Sequence, residues 1–110
     1  MREINIGGKP VQLRGGPLAQ LYYRQEFGVD LLADVQKMQD PDKDPASVDG
    51  VLLLQLAWCM AKGAEEYGKP FPSFPKWLAQ FEYIDWADED MVNGIMNEVT
   101  DSFFRSALQG

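Results

Sequence analysis

The sequence predicts a mainly helical α+β fold, in which an N-terminal β-hairpin precedes about five helices arranged around a central buried helix. Three observations support this prediction. Residues 3–14 alternate polar and apolar side chains around a Gly-Gly pair, later segments repeat apolar residues at helical spacing, and the stretch 51–61 is almost entirely apolar. A length of 110 residues suits one hydrophobic core, so we expect residues 1–110 to form a single domain.

The first predicted element is the β-hairpin, within residues 1–14. The alternation of polar and apolar residues is that of strands with one buried face. Gly7 and Gly8 lie between the two alternating runs, and glycine readily adopts the positive φ angles of a tight hairpin turn. We therefore expect two short antiparallel strands joined at this pair.

Residues 17–39 are expected to form two short helices. Pro17 suits the first turn of a helix, and Gly28 suits the position after its last residue. Asp30 follows two residues after Gly28 and can cap the second helix. The sequence thus predicts a sharp corner between two helices near Gly28.

Residues 40–44 form an acidic, proline-bearing linker, and residues 45–110 are predicted to form the helical core. Asp44 and Pro45 are a cap and a first-turn proline for a long helix that we expect to end near Tyr67, with Gly68 behind it. Because the middle of this helix has almost no polar face, we place it at the centre of the fold.

Two further helices complete the predicted core. Ser73 is expected to cap a short helix that carries a narrow apolar stripe of Trp77, Leu78 and Phe81. Asp85 is expected to begin the last helix, whose first turn holds the acids that a helix dipole favours, namely Asp88, Glu89 and Asp90.

The composition excludes several classes of function. Ten basic against 17 acidic residues give a net charge of −7, which on average repels nucleic acids and anionic membranes. The absence of histidine and the single cysteine exclude Ser-His-Asp and Cys-His catalytic sites and His/Cys zinc sites. Without an apolar signal segment or a span of about 20 apolar residues, an intracellular protein without a membrane span is expected.

Two ligand motifs fail when they are tested in full. Asp40, Asp42 and Asp44 have the spacing of the first calcium ligands of an EF-hand, but Pro45 and Val51 stand where the loop needs glycine and glutamate. The segment from Gly7 to Pro10 resembles a phosphate-binding loop but lacks its first glycine and its Ser or Thr. We therefore predict neither a metal nor a cofactor.

The remaining candidates for catalysis also have simpler interpretations. Glu65 and Glu66, and the acids of 88–90, fit solvated helix faces and helix N-termini better than an acid and base pair. Cys59 lies within the apolar run without a neighbouring cation, as expected of a buried, inert thiol. We expect no enzymatic activity. A small enzyme that uses only carboxylates or a metal is the alternative that we rank last.

Aromatic residues are unusually dense between residues 71 and 86. Such a concentration is hard to bury in a small domain, and exposed aromatics would offer anchors for an apolar helix or peptide. A core position for Trp77 and Phe81, which are four residues apart, explains the pattern equally well. The candidate partner-binding residues are Phe71, Phe74, Trp77, Phe81, Tyr83 and Trp86.

Three segments, in order along the chain, carry a resemblance to a known family. Residues 21–35 match the pattern YR-x-x-FG-x-D-hydrophobic-x-x-D, residues 56–62 match apolar-A-W/Y-x-M-A-K, and residues 77–85 match WL-x-x-F-E-x-hydrophobic-D. With the preceding hairpin and the acidic linker, this order resembles the tail assembly chaperones of long-tailed phages (siphoviruses) and prophages of Gram-positive bacteria.

The resemblance implies a non-enzymatic role in virion morphogenesis. Members of the family keep the long, apolar tape measure protein soluble until the tail tube polymerises around it, and they are usually absent from the finished virion. Tape measure protein is therefore the expected partner, with tail tube protein and a second copy of the chain as further candidates. The chain is similar in length to the shorter of the two products that frameshifting often yields in this family. The alternative is a structural tail or head-tail connector component that stays in the virion.

Overall fold

The computed structural model describes residues 2–38 and 50–103. Helices make up 59% of the described residues and follow an N-terminal two-stranded hairpin, which confirms the mainly helical α+β fold. The elements are β1 (Arg2–Ile6), β2 (Lys9–Leu13), α1 (Pro17–Phe27), α2 (Leu31–Met38), α3 (Gly50–Gly63), α4 (Phe74–Ala79) and α5 (Glu89–Phe103). The predicted linker at 40–44 and the predicted helix start at Pro45 lie outside the described residues.

The hairpin forms as its alternating pattern predicts. β1 and β2 are antiparallel, with Ile6 opposite Lys9, so the connection consists of Gly7 and Gly8 alone. Their φ angles of 58° and 81° are both positive, as a two-residue turn that matches the twist of the strands requires. The buried face of the hairpin is formed by Ile4, Ile6 and Leu13.

The corner between α1 and α2 is set by local sequence. Gly28 adopts the left-handed conformation with φ 73°, and its N–H donates a hydrogen bond to the carbonyl of Arg24. Asp30 then caps α2, since its Oδ1 accepts a hydrogen bond of 3.2 Å from the N–H of Leu32. Both predicted signals are confirmed.

Helix α3 is the centre of the described part of the fold. It contacts α1, β2, α4 and α5, and most of its residues are buried. Because neighbours cover it on several sides, it needs no continuous polar face. Val51 in its first turn is an exception, with 56% of its surface exposed.

The end of α3 differs from the prediction. The helix ends at Gly63 rather than near Tyr67, and a left-handed Gly68 lies in the following turn. A Cβ at Gly63 would lie 3.0 Å from the carbonyl oxygen of Arg14, so this end of the helix packs closely against the residue that follows β2. Continuing the helix to Tyr67 would add the half-buried Ala64 and three exposed residues, and glycine already lowers helix propensity at this point.

The starts of the last two helices also differ from the prediction. Helix α5 begins at Glu89, and the Oδ1 of Asp88 caps it by accepting hydrogen bonds from two backbone N–H groups. Asp85, the predicted start, instead forms a turn of its own, in which its Oδ1 accepts a hydrogen bond from Ala87 N–H. Ser73 precedes α4 without a side-chain cap, and Phe81 lies beyond the end of that helix.

Helix α5 holds the hairpin against the helices. Gly94 permits the close approach, because a Cβ there would lie 2.6 Å from Cγ2 of Ile4. The buried carboxylate of Glu98 accepts hydrogen bonds from the Arg2 guanidinium at 3.3 Å, the Gly15 N–H at 2.9 Å and the Ser102 hydroxyl at 3.0 Å. One acidic side chain thus joins β1, the segment after β2 and α5.

Candidate partner-binding surface

The six aromatic residues singled out from the sequence occupy three different environments. Phe74 and Trp77 are buried in the core, and Phe71 and Phe81 are half-buried against it. Tyr83 and Trp86 are exposed to solvent. The structure therefore divides the candidate residues into a packing group and an exposed pair, and partner binding by any of them stays a prediction.

Two residues of the packing group, Phe71 and Phe74, belong to an aromatic cluster with Phe27 and Trp58. The rings of Phe27 and Phe74 are 5.1 Å apart and nearly perpendicular, and Trp58 meets Phe27 edge-on at 5.6 Å. Such edge-to-face pairs are favoured by the charge distribution of aromatic rings. The cluster connects α1, α3 and the start of α4, so we assign these residues a structural role.

Hydrogen bonds fix the chain around this cluster. The indole N–H of Trp58 donates to the carbonyl of Pro72 at 3.1 Å. The N–H of Phe74 donates to Oε2 of Glu26 at 2.9 Å, so a carboxylate from α1 satisfies the start of α4 where Ser73 does not. Trp77 is held in turn by Phe81, whose ring lies 5.0 Å away.

The exposed pair lies on the segment between α4 and α5. Trp86 is 47% exposed and Tyr83 is 61% exposed. The Trp86 ring packs on Gly50, where a Cβ would lie 2.8 Å from Cζ2, and Gly50 is the residue before the exposed Val51. We use the name Trp86 surface for these three exposed residues, Val51, Tyr83 and Trp86.

The Trp86 surface is bordered by the hairpin turn. The backbone carbonyl of Tyr83 lies over Gly7, where a Cβ would be 2.6 Å from the oxygen, and the Phe81 ring lies close beside it. This contact fixes the backbone of the segment although its aromatic side chains are exposed. The aromatic residues are therefore presented by a supported loop.

The electrostatic environment of the Trp86 surface is acidic. Five of the nine residues from Glu82 to Asp90 are Asp or Glu, and the sequence has no Lys or Arg between Lys76 and Arg105. Two of the five, Asp85 and Asp88, accept local backbone hydrogen bonds. No ion pair is found for the segment 82–90 within residues 2–38 and 50–103. The acids leave a negative potential around the exposed aromatics.

Clefts in the described part of the fold lie away from the Trp86 surface. One of about 510 Å³ runs between β2 and α4 and includes Val11, Phe71 and Trp77 in its lining. Another of about 260 Å³ lies beside the aromatic cluster, where the ammonium group of Lys62 stands 4.3 Å from the centre of the Tyr22 ring. This cation–π contact accounts for the lysine as a structural residue.

Two of the residues considered for catalysis, Cys59 and Glu65, have environments that the structure defines. Cys59 is fully buried, and burial raises the pKa of its thiol far above the usual range. Glu65 pairs with Lys69 at 3.1 Å on the surface. Within the described ranges, no three acidic or cysteine side chains are grouped as metal ligands would be, and no helix has the length and apolarity needed to span a bilayer.

Sequence reasoning missed several exposed apolar residues. Val51 belongs to the apolar run that was expected to be buried, and Tyr67 was expected to end the long helix. Leu21 and Val29, in the first family-like segment, are also exposed. For Val51, the neighbouring Gly50 is in contact with Trp86, a contact between segments distant in sequence.

Comparison with known proteins gives no match: no family model, no curated protein and no solved structure is significantly similar to this chain.

Proposed function

We propose that this chain is a tail assembly chaperone of a long-tailed phage or prophage, which binds the tape measure protein and keeps it soluble while the tail tube assembles. The observation that carries the proposal is the Trp86 surface, a set of exposed apolar residues on a domain with a net charge of −7. A chaperone of this kind needs apolar contacts for its client and charge for its own solubility.

The three family-like segments support the proposal through their positions in the fold. The first forms the α1–α2 corner, the second forms the buried centre of α3, and the third runs from α4 into the segment that leads to Trp86. Shared motifs at such positions are what a common fold would require. In this role the chain would act in the bacterial cytoplasm and be absent from the finished virion.

The direct test is co-expression with the tape measure protein encoded in the same genome. We expect the tape measure protein to be soluble and to co-purify with the wild-type chain. The double variant Tyr83→Ser, Trp86→Ser should lose most of this effect. Tyr67→Ser is the matched control, since it removes a 76% exposed tyrosine that lies beyond the other end of α3.

Circular dichroism of each variant separates loss of binding from loss of folding. If the wild-type chain leaves the tape measure protein insoluble, the chaperone proposal fails. If the chain is then found in purified virions, the structural-component alternative takes its place. If the folded double variant still binds, the chaperone role stands, but the Trp86 surface is not the contact.

A further inference from the structure

The charge around the Trp86 surface selects among the occupants that could cover it. Exposed aromatics alone would accept any apolar partner. Here they lie within a segment that contains Glu82, Glu89 and Asp90, all exposed, and that has no basic residue. Because like charges brought together across an interface cost free energy, the partner must bring few acids and preferably several cations.

This condition disfavours two occupants. A second copy of the chain that used the same surface would place the acids of 82–90 against their own counterparts. The chain's own segment 39–49 contains four aspartates and one lysine, so it carries the same sign of charge. Neither complements the surface electrostatically.

The backbone around the surface indicates the shape of the occupant. An extended peptide gains affinity by adding a strand to an open sheet edge. The Trp86 surface consists of the loop before α5 and the first turn of α3, and the hairpin meets it through the Gly7–Gly8 turn. It therefore offers side chains and no strand edge, which suits a helix that buries one apolar face.

We infer that the Trp86 surface docks a cationic amphipathic helix, with Leu-like residues of the helix on Tyr83, Trp86 and Val51 and its Lys or Arg residues near the acids of 82–90. The inference deepens the proposed function and rests on it for one point only, that the helix belongs to the tape measure protein. The chemistry of the occupant follows from the exposed aromatics and the charge.

The test uses defined peptides, so it does not depend on the tape measure protein. Three labelled 18-residue probes are compared by fluorescence anisotropy: an amphipathic Leu/Lys helix, a Leu/Glu helix of the same pattern, and a Leu/Lys peptide of scrambled pattern. The wild-type chain should bind the first at least roughly tenfold more tightly than either of the others. Its affinity should fall as salt is added.

Matched variants test whether the peptide binds at the Trp86 surface. Tyr83→Ser and Trp86→Ser should each weaken binding of the Leu/Lys helix by roughly tenfold, as loss of an aromatic anchor does. Glu82→Gln with Glu89→Gln should weaken it and reduce its salt dependence. Glu3→Gln with Glu66→Gln removes two exposed carboxylates outside the surface and should leave binding unchanged.

Several results would overturn the inference. The inference fails if the Leu/Glu helix or the scrambled peptide binds as tightly as the Leu/Lys helix. It also fails if the folded Tyr83→Ser and Trp86→Ser variants bind the Leu/Lys helix with wild-type affinity. Sedimentation that shows a dimer abolished by Trp86→Ser would identify a second copy as the occupant. If the Leu/Lys helix binds as expected but the tape measure protein stays insoluble, the proposed function fails while the inference stands.

Discussion

Cys59 lies in the enclosed middle of α3. Its side chain has no exposed surface, and its thiol donates a hydrogen bond to the carbonyl of Leu56 at 3.1 Å. Burial disfavours the charged thiolate and raises the pKa of the thiol in the folded chain. In the unfolded chain the same thiol ionises near its ordinary pKa of about 8.5.

This difference in pKa predicts a loss of stability in alkali. Below the unfolded pKa the thiol is protonated in both states and its contribution is intact. As pH rises above about 8.5, ionisation favours the unfolded chain by up to roughly 1.4 kcal/mol per pH unit. Urea unfolding from pH 7 to 10 with reductant should therefore show wild type losing stability relative to Cys59→Ala. A difference between the two proteins that stays constant with pH would contradict the prediction.

At the scale of elements, the contact of α5 with β1 depends on the absence of a side chain at Gly94. Alanine normally stabilises a helix relative to glycine by about 1 kcal/mol. At Gly94 the added methyl group would lie 2.6 Å from Cγ2 of Ile4, which is too close for two carbon atoms that are not bonded to each other. We expect Gly94→Ala to lower the free energy of unfolding by about 1–3 kcal/mol, as overpacked cores do.

Two comparisons test that explanation. Asn93→Ala changes an exposed neighbour on the same helix and should be neutral or slightly stabilising. In an Ile4→Ala background, the loss caused by Gly94→Ala should largely disappear, since the clashing methyl group is gone. Urea titrations give the four free energies of this cycle. Strictly additive losses would show that Ile4 is not the reason.

The elements also show what local sequence could predict. Gly28 and Asp30 mark a helix end and a helix start through backbone conformation and capping, so both were predictable. Gly63 ends α3 against a carbonyl from a distant segment, which no local pattern reveals. Both Asp85 and Asp88 are able to cap a helix, and the structure uses the first for a separate turn.

The candidate site was predictable in composition and less so in arrangement. The aromatic density of 71–86 indicated the segment that carries the exposed Tyr83 and Trp86, but not Tyr67, which is 76% exposed and lies outside it. Periodicity could not separate Trp77, which packs in the core, from Trp86, which is exposed. That separation depends on how α4 and the following loop meet the hairpin and α3, and the sequence carries no local signal for those contacts.

For the molecule as a whole, the three tryptophans report on two environments, the core and the surface. Trp58 and Trp77 are 2% and 4% exposed, while Trp86 is 47% exposed. Acrylamide should therefore quench a minor, red-shifted part of the emission and leave the remainder protected. Trp86→Phe should remove the quenchable part. Equal quenching of the emission before and after this substitution would show that the exposed tryptophan had been misassigned.

The carboxylate of Glu98 has a consequence for the order in which the molecule assembles. It joins Arg2 to a helix 96 residues further along the chain. Of the described elements, the hairpin is synthesised first, whereas α5, which packs against β1, is synthesised last. Until α5 emerges, β1 lacks this partner in the nascent chain, although α3 can already pack against β2. Contacts that close large loops form slowly. Chains stalled before Glu98 should accordingly be open to proteases in β1 until translation resumes.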